Sequence, residues 1–288
     1  MMATTELRWQ RGALWLAGVA TCASALWPFT ASWAAGALTE PPWAVMVLMP
    51  LVAFVAAALV FNPLAEPRTI AHVAVLAIGV SMARLLSAGT YGMEIAFFVL
   101  IVSGYAAGAH LGFVLGVLSI AVSALVTGGV GPWLAFQMLG CGWVACGAGA
   151  LGDRARRHAA LAREPHHVMR QSTRWVLTGY TVVACYAFGA AMNLWFWPFV
   201  VDTTSAVAYN PEHSVRERIS SYVTYTLVTS TATWDSVRAV TNSVLVAVVG
   251  PAVTGMLGHR LTRRSTSLVG GGTQTHPLTV PGPTAAPH

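Results

Sequence analysis

Long apolar stretches separated by short polar ones run the length of this chain. Residues 12–33, 44–63, 70–88, 93–109, 112–126, 134–151 and 174–200 each approach or exceed the run of about 20 residues that crosses a bilayer as a helix. Residues 219–261 are too long for one span. They read as a partly exposed helix or hairpin to about Thr233, followed by a spanning helix over 234–257. The pattern predicts an all-α polytopic membrane protein with about eight transmembrane helices. A cytoplasmic N-terminus (1–11) precedes two N-terminal transmembrane helices (12–63), a six-helix core (64–264) and a tail (265–288) rich in Gly, Thr and Pro that reads as disordered. The shortest window, 112–126, is separated from its predecessor only by His110 and Leu111.

Arginine orients the spans, because the chain contains no lysine. Counting from an inside start, Arg8, Arg11, Arg68, Arg154, Arg156, Arg157, Arg163, Arg170, Arg174, Arg260, Arg263 and Arg264 fall on the cytoplasmic side. Arg84, Arg216, Arg218 and Arg238 fall outside or within a span. Both termini are therefore expected in the cytoplasm of a multi-pass cell-membrane protein. The first stretch follows Arg8 and Arg11 as a signal peptide would, but its length, the Trp27-Pro28-Phe29 interruption and the absence of a clear cleavage site favour a retained span.

Composition agrees with lipid as the main solvent. With 56% hydrophobic residues, 9% charged and a mean hydropathy of +0.63, the chain has more apolar surface than one soluble core could bury. The net charge of +6 reads as anchoring against anionic lipid. No nucleic-acid partner is expected, since the arginines flank spans and form no folded basic face. Cys22, Cys141, Cys146 and Cys185 lie inside the windows as small apolar residues, with neither a disulfide framework nor a metal cluster implied.

Small residues recur at helical spacing. Gly104, Gly108, Gly112 and Gly116 fall every four residues and allow close backbone approach, either within the bundle or against a partner. Ala71, Ala74 and Ala77 form a second row, and Ala53 and Ala57 a shorter one.

The few polar side chains in the spans fall at one end. An ionised group at bilayer depth costs about 2.5–3.5 kcal/mol on insertion scales, so such groups pair, face water or line a pathway. Arg84 and Glu94 flank a short outer turn that contains Tyr91; Trp133 and Gln137 follow the outer Gly128-Gly129-Val130-Gly131-Pro132 loop. Asn193 precedes Trp195 and Trp197 near the outer exit of its span, and Trp234, Asp235 and Arg238 open the last span, with Asn242 a turn deeper. Two readings fit. One is an Arg84–Glu94 or Arg238–Asp235 ion pair under an interfacial tryptophan belt. The other is a substrate site in which the neutral amides join the charges and aromatic rings to line a small-molecule pocket.

No enzyme emerges. His72 and His110 stand alone, and His158, His166 and His167 lack cysteine or carboxylate partners at metal-ligand spacing. Nucleophile, P-loop and ATPase signatures are absent, and no cofactor is implied. ATP-driven work would need another chain.

The stretches 123–138 (SALVTGGVGPWLAFQM), 192–199 (MNLWFWPF) and 234–242 (WDSVRAVTN) together resemble the actinobacterial branch of substrate-specific S components of energy-coupling factor (ECF) transporters, with the likeness running over about residues 12–264. Ala135 departs from the family's usual proline, and Thr39 to Trp43 lacks the usual aspartate. The resemblance implies a core of six helices that binds a vitamin or related micronutrient at the outer face. It implies a transmembrane coupling protein and two cytoplasmic ATPases as partners, and delivery by toppling of the S component in the membrane. Docking through small residues would use Ala71, Ala74 and Ala77 or the glycine stripe. The start Met1-Met2-Ala3-Thr4 lacks the histidine of the cobalt and nickel branch. Two alternatives stay open: a self-sufficient secondary transporter, which would need carboxylates nearer the midplane than Glu94 and Asp235, and a structural or assembly membrane protein.

Overall fold

The computed structural model describes residues 12–30 (apart from 13, 20, 21, 23 and 24), 67–87, 93–131, 133–162, 169–200 and 205–257. These residues are helical almost throughout and contain no strand. A short helical piece at Trp27–Thr30 precedes α1 (Pro67–Leu86), α2 (Ala96–Ala107), α3 (Ala109–Thr127), α4 (Leu134–Ala162) and α5 (Gln171–Val200). Then come α6 (Val215–Thr226), a π-helical segment (Leu227–Asp235) and α7 (Ser236–Val248), and a 60° bend leads into α8 (Gly250–Leu257).

Four of these helices are long and apolar enough to cross a membrane: Thr69–Leu86, Ala109–Thr127, Leu134–Leu161 and Gln171–Phe199. The bent pair Val215–Val248 and Gly250–Leu257 makes a fifth if it counts as one span. Three of the expected boundaries need correction. The window 93–109 yields only the 12 residues Ala96–Ala107, about 18 Å of helix against a hydrocarbon core of roughly 30 Å. The window taken as shortest extends instead to the 19 residues of α3. In the last stretch, no break separates an exposed helix from a span at Thr233. The helix runs on through the π segment, and its bend comes at Val249, after Val248. The expected helices over 12–63 lie largely outside the described residues, as does the tail.

Local chemistry explains the turns. Gly108 separates α2 from α3 with φ +92°, a left-handed conformation that L side chains rarely adopt, and its N–H returns to Gly104 O. Asp153 from α4 then accepts the free Ala109 N–H at 3.0 Å, meeting the need of an uncapped helix start. At the other end of α3, Gly128 (φ +65°) closes the helix, and the N–H groups of Gly128 and Gly129 both reach Ala124 O. Ser214 opens α6 with a capping box: its hydroxyl accepts Glu217 N–H while the Glu217 carboxylate accepts Ser214 N–H.

The glycine stripe is what brings α2, α3 and α4 together. A Cβ at Gly104 or at Gly112 would strike the carbonyl of Ala145, and one at Gly116 would strike that of Cys141. Gly108 in turn lies against Gly149 and the Asp153 carboxylate. All four are buried, so this face is taken up by packing within the chain, and the reading of Gly104, Gly108, Gly112 and Gly116 as a partner surface is corrected. α4 is the centre of the bundle, with 61% of its apolar window buried against 28% for each of α1 and α5. In the alanine row, Ala77 is core whereas Ala71 and Ala74 are exposed.

Candidate functional site

At the end where α1 finishes and α2, α4 and α7 begin, six of the predicted site residues converge. Arg84 Nη2 donates to Gln137 Oε1 at 3.0 Å, bridging α1 to the first turn of α4. Ser87, just past α1, accepts the Ile95 N–H at 3.2 Å and so ties the Arg84 end to the segment carrying Glu94. Arg238 Nε donates to Glu94 Oε2 at 3.1 Å while its Nη1 donates to Asp235 Oδ1 at 2.9 Å. Asn242, fully buried a turn deeper, gives Nδ2 to the carbonyls of Glu94 and Arg238 and takes the Phe98 N–H on Oδ1.

Burial makes this network costly unless it is satisfied. Asp235 is 1% exposed and its second oxygen accepts the Ser230 hydroxyl at 2.7 Å. Arg238 also lies over two rings, 5.3 Å from Phe97 and 5.6 Å from Phe188, which contact each other edge to face at 4.9 Å. Two carboxylates and one guanidinium leave a formal charge of −1, and Arg84 restores neutrality across the cluster. Of the two ion pairs that the spacing suggested, Arg238–Asp235 forms, whereas Arg84 pairs with Gln137 and leaves Glu94 to Arg238.

The other predicted residues fall differently. Trp133 and Trp234 are 36% and 45% exposed, the rim positions expected of interfacial tryptophan. Asn193 is half-buried one helical turn beyond Gly189, and its Nδ2 is buried without a hydrogen-bond partner among the described residues. Trp197 lies apart from the polar network. It is fully buried with Leu194 and Tyr225 in a separate cluster, where Nε1 donates to Val207 O at 2.7 Å. Tyr91 lies outside the described residues.

Sequence reasoning missed several supports. Gly189 lets α5 lie against Asp235: a Cβ there would occupy the carboxylate's position. Ser230, Phe97 and Phe188 complete the shell, and only the placement of Phe97, three residues after Glu94, hinted at it. The second cluster hides Arg218, 1% exposed, whose Nη1 donates to Pro28 O at 2.7 Å. Burial pushes the Tyr209 phenol up, with the nearby Arg218 guanidinium opposing the shift. Phe29, Tyr222 and Tyr209 pack on Trp197 at centroid distances of 6.3, 5.6 and 5.3 Å, which fastens the 205–214 loop and the Trp27–Thr30 piece to α5.

Among the described residues no group of three or more His, Cys, Asp or Glu side chains is placed to hold a metal ion. Chemically the cluster offers hydrogen-bond donors and acceptors with paired charges and no activated nucleophile. Comparison of the chain with protein-family models, with curated proteins and with solved structures finds no match.

Proposed function

We propose that this chain is a substrate-binding membrane subunit of the ECF type, which captures a vitamin-like small molecule at its polar end and works with a transmembrane coupling protein and two ATPases. The observation that carries the reading is the Asn193 amide, a buried donor with no partner among the described residues, one turn from the point where α5 meets Asp235. A buried amide hydrogen left unmet costs about 1–3 kcal/mol, and a ligand acceptor would remove that cost. Arg84 and Gln137, both half-buried, supply further polar contacts, and the exposed rings of Trp133 and Trp234 supply a rim. The lack of any nucleotide motif assigns hydrolysis to partner chains.

The test is purification of the full chain from cells grown in rich medium, with extraction and mass-spectrometric identification of the retained small molecule, repeated on Gln137→Ala and Asn193→Ala. Retention by the parent and loss in both variants at unchanged melting temperature is expected. In liposomes the chain alone should bind that molecule without accumulating it. Uptake driven by an ion gradient would point to a secondary transporter instead, and no retained molecule in any preparation would remove the binding reading.

One observation favours a second reading, that the polar cluster is scaffold in a structural or assembly protein: Arg238 and Asp235 already satisfy one another and their neighbours. Under that reading, substitutions in the cluster lower stability and no small molecule co-purifies.

A further inference from the structure

At the opposite end of the bundle, a cavity of about 370 Å³ opens between the first turns of α1, the end of α2, the start of α3 and α8. Leu76, Ala107, Leu111 and Leu257 line it, with Thr69 and His72 as its polar members. Its volume lies in the range of small-molecule sites, yet almost no polar group inside could orient a polar ligand. From Thr69 to Leu76 the wall descends about 10 Å along α1, the depth from a membrane interface into the upper hydrocarbon. α1 is also a peripheral helix, with Ile70, Val75, Ile78 and Met82 all exposed, so the cavity lies on a flank that faces lipid.

Charge at this end is mostly positive. Arg154, Arg156 and Arg157 close α4, and Arg170 and Arg174 sit at the start of α5, against Asp153 alone among the described acids there. Asp153 is already committed to Arg156 at 2.8 Å and to the Ala109 N–H. Arg156 is seated on the cavity wall itself, with Nη1 donating to the carbonyls of Tyr105 and Ala106, and Ala106 lines the cavity. An apolar slot at interfacial depth beside a basic rim matches one chemistry, an acyl chain joined to an anionic headgroup.

We infer that this cavity holds one acyl chain of an anionic phospholipid, its headgroup against the arginine-rich end. The site is independent of the polar cluster and of the function proposed for it.

The experiment uses the full chain, purified in detergent, exchanged into defined lipid and read by native mass spectrometry with phosphatidylglycerol and phosphatidylcholine in competition. One phosphatidylglycerol should persist per chain, preferred by about fivefold for each arginine engaged. The exposed pair Arg154→Gln and Arg157→Gln should reduce that preference, and Ala107→Phe or Ala71→Phe, which add bulk at two lining positions, should abolish retention. Because a filled variant can misfold, Ala71→Cys provides a second readout: phosphatidylglycerol liposomes should protect it from a maleimide that labels it in phosphatidylcholine. Equal retention of the two lipids, undiminished binding by both filled variants, or protection of Ala71→Cys only when another membrane protein is added would each overturn the inference.

Discussion

Replacing Asp235 by alanine tests the central network most directly. The carboxylate is 1% exposed and accepts two hydrogen bonds, from Arg238 at 2.9 Å and Ser230 at 2.7 Å. Side-chain hydrogen bonds measured between membrane helices average only about 0.6 kcal/mol, and the two here lie within one helix, so by themselves they predict a loss of no more than about 1 kcal/mol. Removing one partner of a buried ion pair costs about 3–5 kcal/mol when the other is left unmatched. Arg238 keeps Glu94, whose side chain is 25% exposed, so the expectation for Asp235→Ala falls between these limits, at about 2–3 kcal/mol. Arg238→Met is expected to cost more, because it leaves the deeply buried Asp235 with only the Ser230 hydroxyl. The double variant should cost less than the two single losses together, by more than about 1 kcal/mol, since no charge is then left unmatched at full burial. Thermal unfolding in one detergent reads this directly, at about 2–4 °C per kcal/mol for a chain of this size. Melting of Asp235→Ala within about 1 °C of the parent, or additivity of the two losses within about 0.5 kcal/mol, would refute the coupled network.

Other expectations are quickly tested. Gly116→Val drives a side chain into the Cys141 carbonyl and should lower the melting temperature by several degrees, whereas Gly79→Ala, where an added Cβ meets nothing within 4 Å, should be neutral or stabilising by up to about 1 kcal/mol. Trp197→Phe removes the hydrogen bond to Val207 O and should cost about 1 kcal/mol of stability with ligand retention unchanged, as a scaffold residue would; loss of retention without loss of stability would return Trp197 to the pocket. Reporter fusions should place Arg157 in the cytoplasm and the loop around Gly129 outside, since α4 runs between them; both reporters on one side would remove α4 as a span.

Some helix ends were readable because they are local features. Gly128 opens the outer loop after α3, and apolar length alone marks α4 and α5 as long enough to span, whereas the break at Gly108 was expected at His110 and Leu111. The Asp235–Arg238 contact was also legible, being three residues apart on one helix. Which faces point inward was not. Lipid is as apolar as a protein interior, so a membrane helix shows little contrast between its buried and exposed sides, and the periodicity that reveals a soluble core is weak. That is why the direction of the glycine stripe, and hence the position of α4 at the centre, came only from tertiary packing.

The same lack of contrast hid Trp197 in a core cluster, since a tryptophan near a helix end reads alike whether it meets lipid, ligand or another ring. Partner choice was equally nonlocal. Arg238 reaches Glu94 across 144 positions of chain, and nothing short of the packed bundle assigns Arg84 to Gln137 and not to the nearer Glu94. Sequence alone shows which residues are polar and at which end they lie. The tertiary structure decided which of them are already paired, because pairing depends on the distances between helices, and hydrophobic pattern carries no information about those.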